Sequence, residues 1–269
     1  MNILLTNDDG IGSEGILLLA RALRNTGDHR VFVIAPDRDR SGVSHCISFL
    51  REPLRLKERE PDTWTCSGNP ADCVIAGMLG ALPLKPELIL SGINRGANLG
   101  TDLVYSGTAA AARQGGLFSV PSIALSLVES SGGGEYFWDM AVSFTVGKLK
   151  EFTALWEPDT FLNVNIPNSP GGPAGSGFAF PCRRQYEDGL SFMKAPNGEL
   201  YGFARAGKPA DQPEPGSDLD TVSRNLVSLS LVLIHPVVSR TLIDRTAGGG
   251  AAGQGADGNR ADAGGGGGL

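Results

Sequence analysis

Residues 1–15, MNILLTNDDGIGSEG, contain the stretch that decides the fold. Residues 2–6 are a short, mostly apolar run, which is typical of a buried parallel strand. The run leads into the sequence NDDG, residues 7–10, so the two adjacent carboxylates of Asp8 and Asp9 stand where a buried strand ends. Like charges at close range raise each other's pKa, and a divalent cation removes that cost. The alternative interpretation is an Asx turn, in which Asp9 and Gly10 only help the chain to reverse.

The next elements predict an open α/β sheet whose polar loops share one edge. A helix follows the NDDG turn, and residues 31–35 are a second apolar run, so the chain begins with a βαβ unit. In such sheets, ligands bind beyond the carboxyl ends of the strands. The loop PDRDRSG at residues 36–42 therefore lies beside the NDDG loop. Ser41 is expected to reach the site formed by Asp8 and Asp9.

A second informative stretch lies at residues 91–102, SGINRGANLGTD, after another predicted strand. Its three glycines and two asparagines suit a loop whose backbone approaches a ligand closely. Ser106, Gly107 and Thr108 then precede a predicted helix. The free N–H groups and the positive dipole end of a helix start suit a phosphate. The plainer interpretation is a serine N-cap followed by a glycine that aids packing.

Composition narrows the function classes. The chain has 269 residues, of which 41% are hydrophobic and 19% are charged, as in an ordinary globular protein. Its net charge of −6 provides no basic surface for duplex nucleic acid. No signal-peptide pattern and no bilayer-spanning run is evident, so we expect a soluble, cytoplasmic protein without membrane contact. The four cysteines lack CxxC spacing, which disfavours a zinc site and indicates reduced thiols. Dinucleotide binding and nucleoside triphosphate hydrolysis are disfavoured because GxGxxG and the Walker A lysine are absent.

The later part of the chain predicts a second structural region. Residues 161–166 are predicted to be the last core strand, residues 190–204 a hairpin that turns at the sequence PNG, and residues 225–234 a further strand. The final residues are almost entirely Gly, Ala and Asp, which cannot bury enough apolar surface to offset their ordering entropy. We therefore predict a catalytic core at residues 1–170, a hairpin and C-terminal extension for oligomerisation at residues 171–246, and a disordered tail at residues 247–269.

The motifs NDDG, PDRDRSG, SGIN, GANLG and YSGT, in this order, resemble the SurE (survival protein E) family of nucleoside-monophosphate phosphatases. Each motif is short, but each stands at the end of a predicted strand or the start of a helix, and the resemblance is strong over residues 1–127. It implies a three-layer α/β fold with a Rossmann-like, mostly parallel sheet and a protruding hairpin. It also implies homodimers or homotetramers built by exchange of the hairpin and the C-terminal segment. The implied activity is hydrolysis of nucleoside 5′- and 3′-monophosphates with one Mg²⁺ or Mn²⁺ ion per subunit.

The resemblance also implies roles for individual residues. The metal ligands correspond to Asp8, Asp9, Ser41 and Asn94, and the two aspartates also count as catalytic. The phosphate-binding region corresponds to Asn98, Ser106, Gly107 and Thr108. Arg95 is expected to contact phosphate or base, or else to be a solvated loop arginine. His235 is expected to act as general acid, or else to be a packed strand-end histidine. Two positions depart from the family pattern: Ala97 replaces a frequent proline, and Gly12 replaces a histidine of some relatives.

Two carboxylates and two neutral oxygens are a hard ligand set that suits Mg²⁺ or Mn²⁺. The nucleophile is then either a water molecule or one of the two aspartates. Two other functional classes stay open. A receiver-like phospho-acceptor switch requires an aspartate at the end of a later strand, where this chain has Ser91 and Gly92. A non-catalytic nucleotide-binding module with the same fold is distinguished from the enzyme only by a turnover assay.

Overall fold

A computed structural model describes residues 1–129, 134–205, 207 and 213–236. The strands are β1 (Asn2–Thr6), β2 (Arg30–Pro36), β3 (Leu56–Glu60), β4 (Thr63–Cys66), β5 (Leu88–Arg95), β6 (Ser122–Val128), β7 (Thr160–Pro167), β8 (Ser176–Phe178), β9 (Gly189–Lys194), β10 (Leu200–Arg205) and β11 (Val227–Leu233). The helices are α1 (Glu14–Asn25), α2 (Pro70–Ala76), α3 (Gly107–Leu117), α4 (Trp138–Ala154) and α5 (Asp218–Ser223). A π-helical turn at Gly77–Ala81 extends α2, and a 3₁₀ helix at Gly100–Val104 precedes α3.

Nine of the strands form one sheet in the order β3-β4-β2-β1-β5-β6-β7-β11-β8. The six strands from β4 to β7 in this order run parallel to their neighbours. β3 pairs antiparallel with β4, and β11 pairs antiparallel with β7. β9 and β10 form a separate antiparallel hairpin. The predicted α/β fold with a mostly parallel sheet and a hairpin is therefore confirmed.

Helices cover both faces of the sheet, which gives the fold three layers. Successive side chains of a strand point to opposite faces. In β1, Ile3 and Leu5 pack in the core with α1 and α4, whereas Leu4 packs with residues of α2 and α3 on the other face. All three side chains are fully buried, and burial of each one contributes about 1.5–3 kcal/mol. Because both faces are covered, β1 and β2 are nearly continuously apolar, as their sequences predicted.

β5 extends to Arg95 and so includes residues 91–95, which the sequence predicted to be part of a loop. It ends at Arg95 because it resumes pairing with β6 after a register shift between Ser91 and Asn94. Gly92, within this shift, has φ +137°, and a Cβ there would lie 2.3 Å from the carbonyl oxygen of Leu125. The prediction of a loop directly after residue 90 is therefore wrong, since the glycine belongs to a bulge in the strand.

The chain divides into two units, and the first, residues 1–234, is compact, while the second begins at His235. The first unit contains all the elements named above. In the second unit the structure describes His235 and Pro236, both exposed. The predicted tail at residues 247–269 lies outside the described residues, and the domain division stays a prediction. Within the described part of the chain, none of the helices combines the length and apolar character needed to cross a bilayer.

Candidate active site

The carboxyl ends of β1, β2 and β5 and the N-terminus of α3 meet around a cavity of about 510 Å³. β1 pairs in parallel with both β2 and β5, so the loops that follow these strands lie on the same edge of the sheet. The cavity is lined by several residues predicted from sequence: Asp8, Ser41, Asn94, Arg95, Asn98 and Ser106. Its other lining residues are Gly42, Asp102, Tyr105, Tyr186, Asp188 and Gly207.

Asp8 lies just beyond the end of β1, and only 4% of its surface is exposed. Its Oδ1 accepts a hydrogen bond from Thr108 Oγ1, and its Oδ2 accepts one from Thr108 N at 3.1 Å. Burial raises the pKa of Asp8, while the two hydrogen bonds from Thr108 act in the opposite direction. Thr108 thus orients the Asp8 carboxylate, and its contact with substrate stays a prediction.

Asp9 is half-buried, and its carboxylate joins the loop after β1 to the end of β5. Its Oδ2 accepts a hydrogen bond from Arg95 N at 3.2 Å. Burial and the neighbouring charge of Asp8 raise the pKa of Asp9 to about 6. Asp9 lines a smaller cavity of about 290 Å³, together with Asp39 and Arg95, rather than the larger one. The two adjacent carboxylates therefore both resist ionisation in the protein alone.

Ser41 and Asn94 line the larger cavity, and the side chain of each contains a neutral oxygen. The hydroxyl of Ser41 donates to Asp39 Oδ1 at 2.6 Å, which orients the group and leaves its oxygen able to bind a further partner. Asn94 Nδ2 donates to the carbonyl oxygen of Gly96 at 3.0 Å, so Oδ1 is the acceptor of that amide. Hydrogen bonds to nearby residues therefore hold both side chains, Ser41 in the loop after β2 and Asn94 near the end of β5.

Arg95 packs on an aromatic pair. Its guanidinium lies 4.5 Å from the ring centroid of Tyr136, which in turn stacks on Trp138 with the centroids 5.5 Å apart. A cation–π contact therefore holds this side chain. Arg95 also lines the larger cavity. Its predicted contact with phosphate or base stays a prediction.

The start of α3 approaches Asp8 closely because residue 107 is glycine. A Cβ at Gly107 would lie 2.8 Å from Asp8 Cβ and 3.1 Å from Pro70 Cγ. Ser106 is the N-cap, and its Oγ accepts a hydrogen bond from Ala109 N at 3.0 Å. The N–H of Thr108 is bonded to Asp8. Two N–H groups at this helix start therefore already have partners within the protein, and phosphate binding here stays a prediction.

The sequence model of the family described as Survival protein SurE matches residues 3–188, more than half of the chain. The chain belongs to the SurE family. The resemblance seen in the sequence motifs is thereby confirmed.

Relatives of this chain in the SurE family carry the name 5′-nucleotidase SurE. The protein from Geobacter metallireducens is 39% identical over 230 residues, which cover 85% of this chain and 90% of the relative. The protein from Thermosipho melanesiensis is 40% identical over 235 residues, with the same two shares covered. A crystal structure of a SurE protein from Aquifex aeolicus matches with a TM-score of 0.77 and 34% identity, over 91% of this chain and 98% of that chain.

The residues at the SurE site fit a hard divalent cation. Asp8 and Asp9 supply two carboxylates with raised pKa values, and a nearby positive charge would favour the ionised form of both. Ser41 and Asn94 add hydroxyl and amide oxygens, and such oxygen donors suit Mg²⁺ or Mn²⁺. Within the part of the chain that the structure describes, no three side chains of the types His, Cys, Asp and Glu lie close enough together to form a metal site by themselves. The predicted set contains only two residues of those types, so the predicted ligands have to include neutral oxygens.

The sequence did not predict the segment before the hairpin as part of the site. Asp102 Oδ2 accepts a hydrogen bond from Arg184 Nη1 at 2.6 Å, and its Oδ1 accepts one from the hydroxyl of Tyr186. Tyr186 lines the cavity, as does Asp188, whose Oδ1 accepts a hydrogen bond from Gly207 N at 2.9 Å. No short motif marks this segment, because its contacts depend on a residue more than 80 positions away.

His235 directly follows Ile234, the last residue of the first unit, and is exposed. Because β11 ends at Leu233, His235 follows this strand, as the sequence predicted. Its role as general acid stays a prediction.

Proposed function

We propose that this chain removes phosphate from nucleoside 5′-monophosphates, the activity indicated by the names of its SurE relatives. The observation that carries the proposal is that Asp8, Ser41, Asn94, Asn98 and Ser106 line one cavity. Carboxylate, amide and hydroxyl groups beside the N-terminus of a helix suit a phosphate ester together with a divalent cation. On the family resemblance we extend the proposal to nucleoside 3′-monophosphates.

The proposed cofactor is one Mg²⁺ or Mn²⁺ ion held by Asp8, Asp9, Ser41 and Asn94. When bound, such an ion would offset the negative charge that develops on the transferred phosphoryl group. Thr108 orients Asp8, and the N–H of Arg95 orients Asp9, so both carboxylates are held before a ligand enters. This preorganisation supports the assignment of the two aspartates.

The remaining residues are proposed to bind the phosphate and to move a proton. Asn98, Ser106, Gly107 and Thr108 are proposed to hold the phosphate, with Arg95 beside it, and His235 to donate a proton to the leaving nucleoside oxygen. Both carboxylate oxygens of Asp8 accept hydrogen bonds from Thr108, which lowers their nucleophilicity. This supports a water molecule, rather than Asp8, as the group that attacks phosphorus.

We also propose that the protein acts as a homodimer or homotetramer in the cytoplasm. The hairpin formed by β9 and β10 supports an assembly, since a two-stranded hairpin is marginally stable alone. It exposes a set of large apolar side chains: Leu190, Phe192, Met193, Leu200, Tyr201 and Phe203. Cover by a second subunit would remove this apolar surface from water.

The test is phosphate release from 5′- and 3′-monophosphates of the common nucleosides, with Mg²⁺, with Mn²⁺ and with chelator. We expect release that requires a metal ion and is lost in Asp9→Asn. The same substitution at exposed Asp28, Asp28→Asn, is the control and should leave phosphate release unchanged. Absence of release from every nucleoside monophosphate would refute the proposal. Tight nucleotide binding without turnover would instead identify the non-catalytic module.

The receiver-like alternative is disfavoured by the end of β5. That strand ends in Asn94 and Arg95 rather than in an aspartate that could accept a phosphoryl group. Asn94 lines the cavity with Asp8. A hydrolase therefore fits these residues better than a phospho-acceptor switch.

A further inference from the structure

Two asparagines lie in an otherwise apolar part of β7. Asn163 and Asn165 are completely buried. Their neighbours Leu162, Val164 and Ile166 pack in the core on one face of the sheet, so the two amides point to the opposite face. An amide that is buried without hydrogen-bond partners costs about 1–3 kcal/mol. Two such residues at alternate positions therefore indicate a polar partner on the opposite face of β7.

That partner is the backbone of Asn98. Its N–H donates to Asn165 Oδ1 at 2.9 Å. Its carbonyl oxygen accepts from Asn165 Nδ2 at 3.1 Å and from Asn163 Nδ2 at 3.0 Å. Both peptide groups that flank the Asn98 Cα are thus fixed by side chains of one strand.

The side chain of Asn98 is fixed separately. Its Nδ2 donates to Ser126 Oγ on β6 at 2.8 Å. An amide nitrogen carries two hydrogens, so the bond to Ser126 leaves one hydrogen for a ligand. Asn98 is 6% exposed and lines the cavity together with Asp8 and Ser106. The small exposed part of this residue therefore belongs to the candidate site.

We propose that Asn163 and Asn165 are positioning residues, which hold Asn98 so that its side chain meets the substrate phosphate. This inference rests on the proposed function for the identity of the ligand. Asn98 lies in the glycine-rich loop between β5 and the 3₁₀ helix, and no regular secondary structure orients it. The two amides replace that missing support with hydrogen bonds from a central strand. A contact that must be placed within about 0.5 Å requires supporting residues of this kind.

The other end of the loop has an independent support. Gly100 N donates to Asp218 Oδ2 at 2.7 Å, and Asp218 is completely buried. Loss of the asparagine contacts should therefore loosen the loop around Asn98 without releasing it from the fold. This makes the variants of β7 suitable for kinetic measurements.

The kinetic test is a double-mutant cycle with hydrolysis of a nucleoside monophosphate as the assay. Asn165→Ala removes two of the bonds to Asn98, and we expect kcat/KM to fall about 10- to 100-fold, since small misplacements of a binding group have effects of this size. Asn163→Ala removes one bond, so its effect should be smaller. In the Asn98→Ala background, Asn165→Ala should have little further effect, because residues that act through one another are not additive.

Hydrogen exchange gives a readout that does not depend on activity. In Asn165→Ala, amides of residues 96–102 should exchange faster than in the unmodified protein. The matched control is Ser228→Ala on β11: Ser228 is the register partner of Asn165 and is fully buried. Its hydroxyl makes no hydrogen bond within the described part of the chain. Exchange at residues 96–102 and kcat/KM should be unchanged in this control.

Several results would overturn the inference. Unchanged exchange at residues 96–102 in Asn165→Ala would show that the amides do not hold the loop. Independent, multiplicative losses for Asn98→Ala and Asn165→Ala would show that Asn165 does not act through Asn98. Full activity of Asn98→Ala would show that Asn98 does not meet the phosphate. Failure of the proposed function is distinct, because the unmodified protein would then release no phosphate, while the exchange measurement would still test the positioning of Asn98.

Discussion

Asp9→Asn should stabilise the protein when no metal is present. The substitution keeps the size and shape of the side chain and removes one of two adjacent carboxylates. Burial and the charge of Asp8 raise the pKa of Asp9 from 3.8 to about 6 in the folded protein. A carboxyl group with a raised pKa binds its proton more tightly when folded, so its ionisation opposes folding. The loss of stability caused by ionised Asp9 is small below about pH 4, grows between pH 4 and 6, and is fully present above pH 6.

The size of the effect follows from the two pKa values. Their difference corresponds to about 3 kcal/mol at high pH. Asp9 is only half-buried, so solvent screening reduces this to about 1–2 kcal/mol. At pH 8 the Asp9→Asn protein should therefore unfold with a free energy higher by about 1–2 kcal/mol, and its Tm should rise by about 2–8 °C. Near pH 4 most of this difference should disappear.

The measurement is urea unfolding of both proteins in chelator at pH 4, 6 and 8. Asp28→Asn is the control, because Asp28 is exposed and its substitution should change the free energy of unfolding by less than about 0.5 kcal/mol. Saturating Mn²⁺ should reverse the order at pH 8, since a ligand that binds the folded state stabilises it. The reasoning is refuted if Asp9→Asn gains no stability at pH 8, or gains equally at pH 4 and pH 8.

The remaining predictions concern other parts of the chain. Thr108→Val removes the hydroxyl that donates to Asp8, so the pKa of Asp8 should rise and metal affinity in calorimetry should fall; unchanged affinity would contradict this role. Gly107→Ala places a methyl group against Asp8, so it should lower the free energy of unfolding by about 1–3 kcal/mol and reduce turnover. Normal values of both would show that α3 moves aside to make room for the methyl group. Deleting residues 190–204 should move the protein towards monomer in sedimentation, and a monomeric profile for the intact chain would contradict a role of the hairpin in assembly. Removing residues 247–269 should leave Tm and turnover nearly unchanged, whereas a drop of many degrees would show that the tail docks.

The sequence predicted elements whose signals are local. Residues 2–6 are apolar on both faces, and β1 is indeed a central strand covered on both sides. The PNG turn predicted the hairpin, which forms with Gly198 at φ +88°. Both signals depend on residues that are adjacent in the chain. They could therefore be interpreted without knowledge of the tertiary structure.

Elements fixed by distant contacts could not be predicted in the same way. α5 has only six residues and follows a proline-rich stretch, so its periodicity is too short to be recognised. It is held by Asp218, whose carboxylate accepts hydrogen bonds from Gly100 N and Cys182 N. The end of β5 was missed for a related reason, since the space that requires Gly92 is set by the backbone of Leu125.

The candidate site shows the same limit. Parallel strands bring their following loops to one edge, so the sequence could predict that Asp8 and Ser41 lie together, whereas Asn94 was predicted only from the family resemblance. It could not identify the residues that hold them, because Thr108 is separated from Asp8 by 100 positions. The YSGT motif includes Thr108 as a predicted phosphate ligand, but nothing in that motif shows that this residue also orients Asp8.

Burial nevertheless leaves a trace of such supporting residues in the sequence. The stretch FLNVNIP at residues 161–167 places two amides at alternate positions of an apolar strand. Because a buried amide has to find hydrogen-bond partners, this pattern by itself predicts a polar group packed on one face of that strand. The structure supplies the identity of the group, the backbone of Asn98, which is 67 positions from Asn165. Polar residues at the spacing of a buried face are therefore candidates for positioning roles even where no motif includes them.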